Sequence, residues 1–142
     1  MFKNNIVEII EWCPENNLDN ADTIVSINGQ KIKCYVYDNN IIGKKGHFYH
    51  AILKIGSGGL KKTNKKELKI ETRSDGKLWN RTFIRGVVVD IDHKKYLIEI
   101  TNEILVWIVD YNAEINLGNI VECFGRLDIE IVKEASSDEK AL

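Results

Sequence analysis

The segment Lys31-Ile32-Lys33-Cys34-Tyr35-Val36-Tyr37 alternates without interruption between two kinds of side chain. In an extended strand successive side chains point to opposite faces, so Lys31, Lys33, Tyr35 and Tyr37 share one face and Ile32, Cys34 and Val36 the other. Cations beside flat rings are what a single-stranded nucleic acid requires: charge to meet phosphate, and surfaces on which bases stack. An ordinary solvated sheet face shows the same alternation, its tyrosines making cross-strand pairs or packing under another part of the chain. Further along, Lys61, Lys62, Lys65, Lys66 and Lys69 follow the break Gly56-Ser57-Gly58-Gly59, with Arg73, Lys77, Arg81 and Arg85 beyond. A glycine-hinged basic loop can track a phosphate backbone. A solvated, lysine-rich linker has the same composition.

Other chemistries are less well served. Gly56 to Thr63 lacks a glycine directly before Lys61-Lys62-Thr63 and no long helix is signalled after it, so half the physics of a phosphate loop is absent. His47 and His50 stand three apart on an expected strand and face opposite sides, and Cys34 joins them only through a bulge, so no metal site is expected. Asp90, Asp92 and His93 end a strand with turn composition. Ser26, Ser57, Ser74, Ser136 and Ser137 have no nucleophile-elbow context. With no assembly of nucleophile, base and oxyanion donor, the expectation is a binding protein rather than an enzyme, with no cofactor. Glu103, Leu105, Trp107 and Val109 share a face that is apolar with one acid. Leu105, Trp107 and Val109 form a patch that either docks two parts of the chain, makes a homo-oligomer or receives another protein.

The elements that must position these groups are strands. Ile and Val number 31 against 15 Ala and Leu, and branching at Cβ favours a pleated sheet. Strands are expected at Val7–Trp12, Thr23–Ile27, Lys31–Asp38, His47–Ile55, Leu68–Thr72, Phe83–Ile91, Tyr96–Thr101, Glu103–Asp110 and Asn119–Val132. Asn28-Gly29 marks a type I′ hairpin turn. Residues 61–66 read as a basic loop or short helix. Net charge is −1, yet residues 1–43 carry −3, residues 44–85 carry +9 and residues 86–142 carry −7. No apolar run approaches the roughly 20 residues that span a membrane, and Glu8 and Glu11 fall where a signal peptide needs its apolar stretch. A cytoplasmic location is expected. The odd, widely spaced Cys13, Cys34 and Cys123 read as buried free thiols. The abundance of Ile, Lys and Asn fits an AT-rich genome, bacterial or phage.

A faint repeat runs through the chain. With a shift of 72, Ile32, Asp38, Asn40 and Gly46 fall on Ile104, Asp110, Asn112 and Gly118; one slip at the hairpin lays Ile24-Val25-Ser26-Ile27 over Leu97-Ile98-Glu99-Ile100. Val7–Trp12 matches Val87–Asp92. Gly86-Val87-Val88-Val89-Asp90, Tyr96 to Ile100, Ile104–Val109 and Leu117 to Leu127 resemble an oligonucleotide/oligosaccharide-binding (OB) barrel, as do residues 6–72 more loosely. A fifth strand in the second half requires Gly125 to break Asn119–Val132 in two. The resemblance implies an all-β chain of two small OB-like halves (1–72 and 83–132, with a linker at 73–82 and a disordered tail at 133–142) and nucleic-acid contacts on the third strand. A single larger β-barrel or sandwich is the competing architecture. The expected function is recognition of single-stranded nucleic acid through Lys31–Tyr37 and Lys61–Lys69. The alternative is a protein-interaction module, such as a small bacterial immunity or inhibitor protein, whose acidic C-terminal half engages a basic partner.

Overall fold

A computed structural model of the chain describes residues 5–12, 23–38, 41–56, 59–73 and 81–136. Its strands are β1 (Asn5–Glu11), β2 (Thr23–Ile27), β3 (Gln30–Asp38), β4 (Phe48–Ile55), β5 (Lys61–Lys62), β6 (Lys69–Arg73), β7 (Arg81–Asp92), β8 (Lys95–Glu99), β9 (Leu105–Val109), β10 (Ile120–Gly125) and β11 (Leu127–Glu134). Among the described residues the helical part is one 3-10 turn, Thr101–Glu103. Strand makes up 65% and helix 2% of the described residues, so the fold is all-β. Among the described residues no helix is long and apolar enough to cross a membrane.

Five strands close on themselves in the order β1, β2, β3, β11, β4 and back to β1. β3 and β11 run parallel and every other neighbour in the ring is antiparallel, an arrangement consistent with an OB-like barrel. From β4 the sheet continues through β9, β8, β7 and β10 to β5, and β6 lies against β7. The barrel's fifth strand is therefore β11, which follows β10 across the single residue Arg126. Gly125 does end a strand, and inward parity survives the break: Val121, Cys123, Leu127, Ile129 and Ile131 are all buried. Lys133 and Glu134 belong to β11; residues 137–142 and 74–80 lie outside the described set, as does Cys13.

The pairings recur. β1 meets β2 as Glu8↔Ser26 and Ile9↔Val25, then skips Ile10 to Glu11↔Ile24. β7 meets β8 as Val87↔Glu99 and Val88↔Ile98, then skips Val89 to Asp90↔Leu97. Each bulge seats one extra residue and sharpens the local twist. β2–β3 and β8–β9 are antiparallel, β1–β4 and β7–β10 are antiparallel, and β3 and β9 each have a parallel neighbour, β11 and β4. The closing partner of β4 is β11, registered from Leu127 to Glu134, whereas that of β10 is β5, registered at Lys61 and Lys62 alone.

Local chemistry accounts for the corners. Asn28 (φ 50°) and Gly29 (φ 88°) form the two-residue turn between β2 and β3, both centres left-handed as type I′ demands. The β7–β8 turn has the same length and sign, but is built from His93 (φ 47°) and Lys94 (φ 68°). Gly86 sits where β7 crosses close to β8: a Cβ there would lie 2.6 Å from the Glu99 carbonyl oxygen and from Ile98 Cγ2. Barrel and outer sheet share one continuous apolar core. They are also tied by Asn5, whose Nδ2 donates to the Leu105 carbonyl and whose Oδ1 accepts from the Leu105 N–H, both at 2.8 Å.

Candidate nucleic-acid interface

The expected β3 face is only partly available. Lys31 and Lys33 are exposed, but Tyr35 is 7% exposed. β11 lies beside β3 with Asp128 in register with Tyr35, and the Arg126 guanidinium, held by Asp128 at 2.8 Å, stacks 4.4 Å from the centre of the Tyr35 ring. The ring is thus closed to an incoming base, and its burial corrects the expectation of an open stacking surface. The side chain of Tyr37 falls outside the described set. Leu105, Trp107 and Val109 are half-buried on the outward face of β9, with Trp107 in parallel register with Lys54.

Residues 61–69 form a strap: Lys61–Lys62 are the short strand β5, residues 63–68 are loop, as one of the two expected readings had it, and Lys69 opens β6. Lys61 and Lys62 form β5 on β10, opposite Glu122 and Val121. The Thr63 N–H donates to the Ile120 carbonyl at 3.0 Å, and Lys65 N–H to Thr63 Oγ1 at 3.2 Å. Arg85 Nη1 donates to the Glu67 carbonyl at 3.0 Å. Upstream, Asp110 Oδ2 accepts from the Leu60 N–H at 2.8 Å while its Oδ1 accepts from Asn112 N–H at 3.0 Å. These backbone donors hold the Asp110 carboxyl below its ordinary pKa. Fixed at both ends, the strap presents Lys61, Lys62, Lys65 and Lys66 to solvent.

Beside it lies an assembly that no single strand displays. Along β7, Arg81, Phe83 and Arg85 share the outward face by the period-two rule. Their cross-strand neighbours are Arg73, Glu71 and Lys69 on β6, and Phe124 and Glu122 on β10 lie opposite Phe83 and Arg85. Phe83 and Phe124 are thus directly paired and only half-buried. Cations ring them: Arg73 stands 4.4 Å from the Phe83 centroid and 5.8 Å from that of Phe124, Arg81 5.8 Å from Phe124, Arg85 5.4 Å and Lys69 5.5 Å from Phe83. These separations suit cation–π attraction, each exposed instance worth about 0.5–1 kcal/mol. Arg85 is pinned to Glu122 through Nε at 2.7 Å and Nη2 at 2.6 Å.

Sequence reasoning had Arg73, Arg81 and Arg85 among the basic residues but missed Phe83 and Phe124. Phe124 sits between Cys123 and Gly125, and Phe83 is a lone ring, so neither segment shows the repeated rings and cations of Lys31–Tyr37. The available signal was the outward parity of 81, 83 and 85, two cations flanking an aromatic. Of the expected site residues, Lys61, Lys62, Lys65, Lys66 and Lys69 adjoin this face, while Lys31, Lys33 and Tyr35 belong to the barrel wall.

The thiols stay clear of it. Cys34 and Cys123 are free and buried, and desolvation lifts both pKa values, that of Cys123 to about 12. Among the described residues no three His, Cys, Asp or Glu side chains group as metal ligands. In comparisons with known proteins the chain matches no family model, no curated protein and no solved structure.

Proposed function

We propose that the chain is a non-catalytic protein that binds single-stranded nucleic acid across the β6–β7–β10 face. The observation that carries this is Phe83 paired with Phe124, half-exposed and ringed by Arg73, Arg81, Arg85 and Lys69, beside a strap of solvent-facing lysines. Base stacking on the rings and phosphate neutralisation by the strap are the two terms such binding needs, and neither depends on base identity. Lys31 and Lys33 extend the positive field along the barrel wall.

The scaffold of this proposal is a tandem pair of OB-like units. β1 to β4 form the first and β7 to β10 the second, each completed by the stretch that follows the other unit's fourth strand: β11 closes the first, and the end of β4 with β5 edges the second. The repeated bulges at Ile10 and Val89 support a duplication, because a bulge is a local irregularity that two unrelated hairpins have little reason to share.

Fluorescence anisotropy of a labelled oligothymidylate, about a dozen nucleotides long to cover a typical site, tests the function. Affinity is expected to fall with salt at a log–log slope near −0.7 per phosphate neutralised. No anisotropy change at low salt and micromolar protein overturns the proposal. A protein partner engaged through the acidic 86–142 region, with Leu105, Trp107 and Val109, then becomes the reading to test by charge reversal in that region.

A further inference from the structure

Two arginine–carboxylate pairs among the described residues of this face, Arg85–Glu122 and Arg73–Glu71, are held very differently. Arg85 is nearly enclosed, its side chain 7% exposed, and spends its Nε, Nη1 and Nη2 donors on Glu122 and the Glu67 carbonyl. That pair is structural: nothing a ligand brings can reach a guanidinium already satisfied on three sides. Arg73 and Glu71 are 39% and 41% exposed. Arg73 donates to Glu71 Oε1 from Nε at 2.7 Å and Nη2 at 2.5 Å, while its guanidinium lies over Phe83. Lys69 Nζ is 4.0 Å from the same carboxylate. The hydrogen bond from Arg73, followed by the charges of Lys69, Arg73 and Arg85, holds the Glu71 carboxyl below its ordinary range, so it is an anion at neutral pH.

A carboxylate gripped by a guanidinium and faced by an ammonium stands where a phosphate would be gripped, with the same donors and the same sign. We infer that Glu71 is a built-in competitor for a strand phosphate, displaced from Arg73 when nucleic acid binds, and that Arg73 is the specificity-determining residue of the face. This rests on the nucleic-acid reading above. In the free protein Glu71 draws Arg73 across one face of Phe83 and leaves the ring half-exposed. A bound phosphate takes Arg73 from Glu71, and the adjacent base takes the face of Phe83 that the guanidinium leaves. A nucleoside without phosphate cannot make the exchange. The face thereby rejects free bases and neutral aromatics and admits the polyanion.

The experiment compares Glu71→Gln with Glu67→Gln in the full chain, using the same labelled oligothymidylate. Both variants remove one negative charge; Glu67 is exposed and contributes only its backbone carbonyl to Arg85. Removing an exposed competitor of ordinary strength should tighten binding about two- to fivefold, with Glu67→Gln giving clearly less. In an Arg73→Gln background, which itself weakens binding, the excess gain from Glu71→Gln should vanish, since coupled residues are non-additive. Equal gains from the two glutamate variants, or a gain that persists without Arg73, overturn the exchange and leave the nucleic-acid reading standing. No binding by the wild type or by Glu71→Gln at low salt sinks both.

Discussion

β4 and β10 hold equivalent places in the repeated pairing, yet their closing partners differ in reach. β11 stays in register with β4 from Leu127 to Glu134 and also lies along β3, so this ring is a shut barrel. β5 meets β10 at two residues, and the outer strands keep an open edge. The aromatic–cation surfaces follow the same division. Beside the long closing strand, Tyr35 is shut under Arg126; beside the short one, Phe83 and Phe124 stay half-exposed among arginines. Completeness of closure, more than the presence of aromatics and cations, goes with which aromatic face stays half-exposed.

The largest expected effect breaks the closed side. Ile129, wholly buried on β11, should cost about 2–5 kcal/mol when changed to Ala, because a methyl-lined cavity opens between barrel walls. Lys62→Gly on β5 should cost under about 1 kcal/mol, the span of strand propensity at an edge. Urea denaturation of the two variants checks the contrast; equal losses would mean that the short strand closes its unit as firmly as the long one.

The next effect separates stacking from packing. Phe83→Ala or Phe124→Ala should weaken oligothymidylate binding by about 1–3 kcal/mol per stacked base, with the salt slope unchanged. Tyr35→Ala should leave affinity near wild type and lower stability instead. Replacing Lys61, Lys62, Lys65 and Lys66 with Gln should flatten the slope by about 0.7 for each phosphate that is no longer neutralised. Titrations over a range of salt, paired with melting curves, distinguish the three.

Smaller again is the anchor of the strap. Asp110→Asn should cost about 1 kcal/mol, below the roughly 1.5–3 kcal/mol usual for hydrogen bonds to a charged group because solvent screens this partly exposed carboxylate. Because the folded carboxyl titrates below the unfolded one, its contribution is whole above the ordinary Asp range near about pH 4 and is lost as pH falls through the lowered value. The stability gap between wild type and Asp110→Asn should therefore narrow in acid. A gap that is constant from neutral pH down to about pH 2, below the ordinary Asp range, would show the anchoring to be independent of charge.

The smallest effect is a gain. His93-Lys94 holds left-handed backbone that Asn28-Gly29 adopts with little strain. Rewriting His93-Lys94 as Asn-Gly should stabilise the chain by about 0.5–1 kcal/mol, visible as a raised melting temperature. The same pair placed at Asn28-Gly29 should destabilise.

What could be read from the sequence was local. The Asn28-Gly29 turn, the inward parity from Val121 to Ile131 and the break at Gly125 all depend on residues near one another in the chain. Val36, expected inside with Ile32, is only partly buried at the end of the described part of its strand. β5 was beyond reach, because two lysines acquire strand structure only from the edge of β10. The Phe83–Phe124 pair was too, since cross-strand neighbours are fixed by register, which strand sequences specify weakly when several partners fit. Tyr35 followed the alternation rule, and its burial came from Arg126, 91 residues later in the numbering.

β11 has a further consequence for how the chain comes into being. It is inserted between β3 and β4, so the two strands it joins are made long before it. During synthesis β3 and β4 are made before β11, so the edges it covers lack their native partner until Leu127 has emerged. Such edges are templates for pairing with other chains, and pairings so distant in sequence form slowly. Chaperone dependence, and aggregation of chains stalled between residues 56 and 126, would be the cellular cost of a barrel whose last stave arrives last.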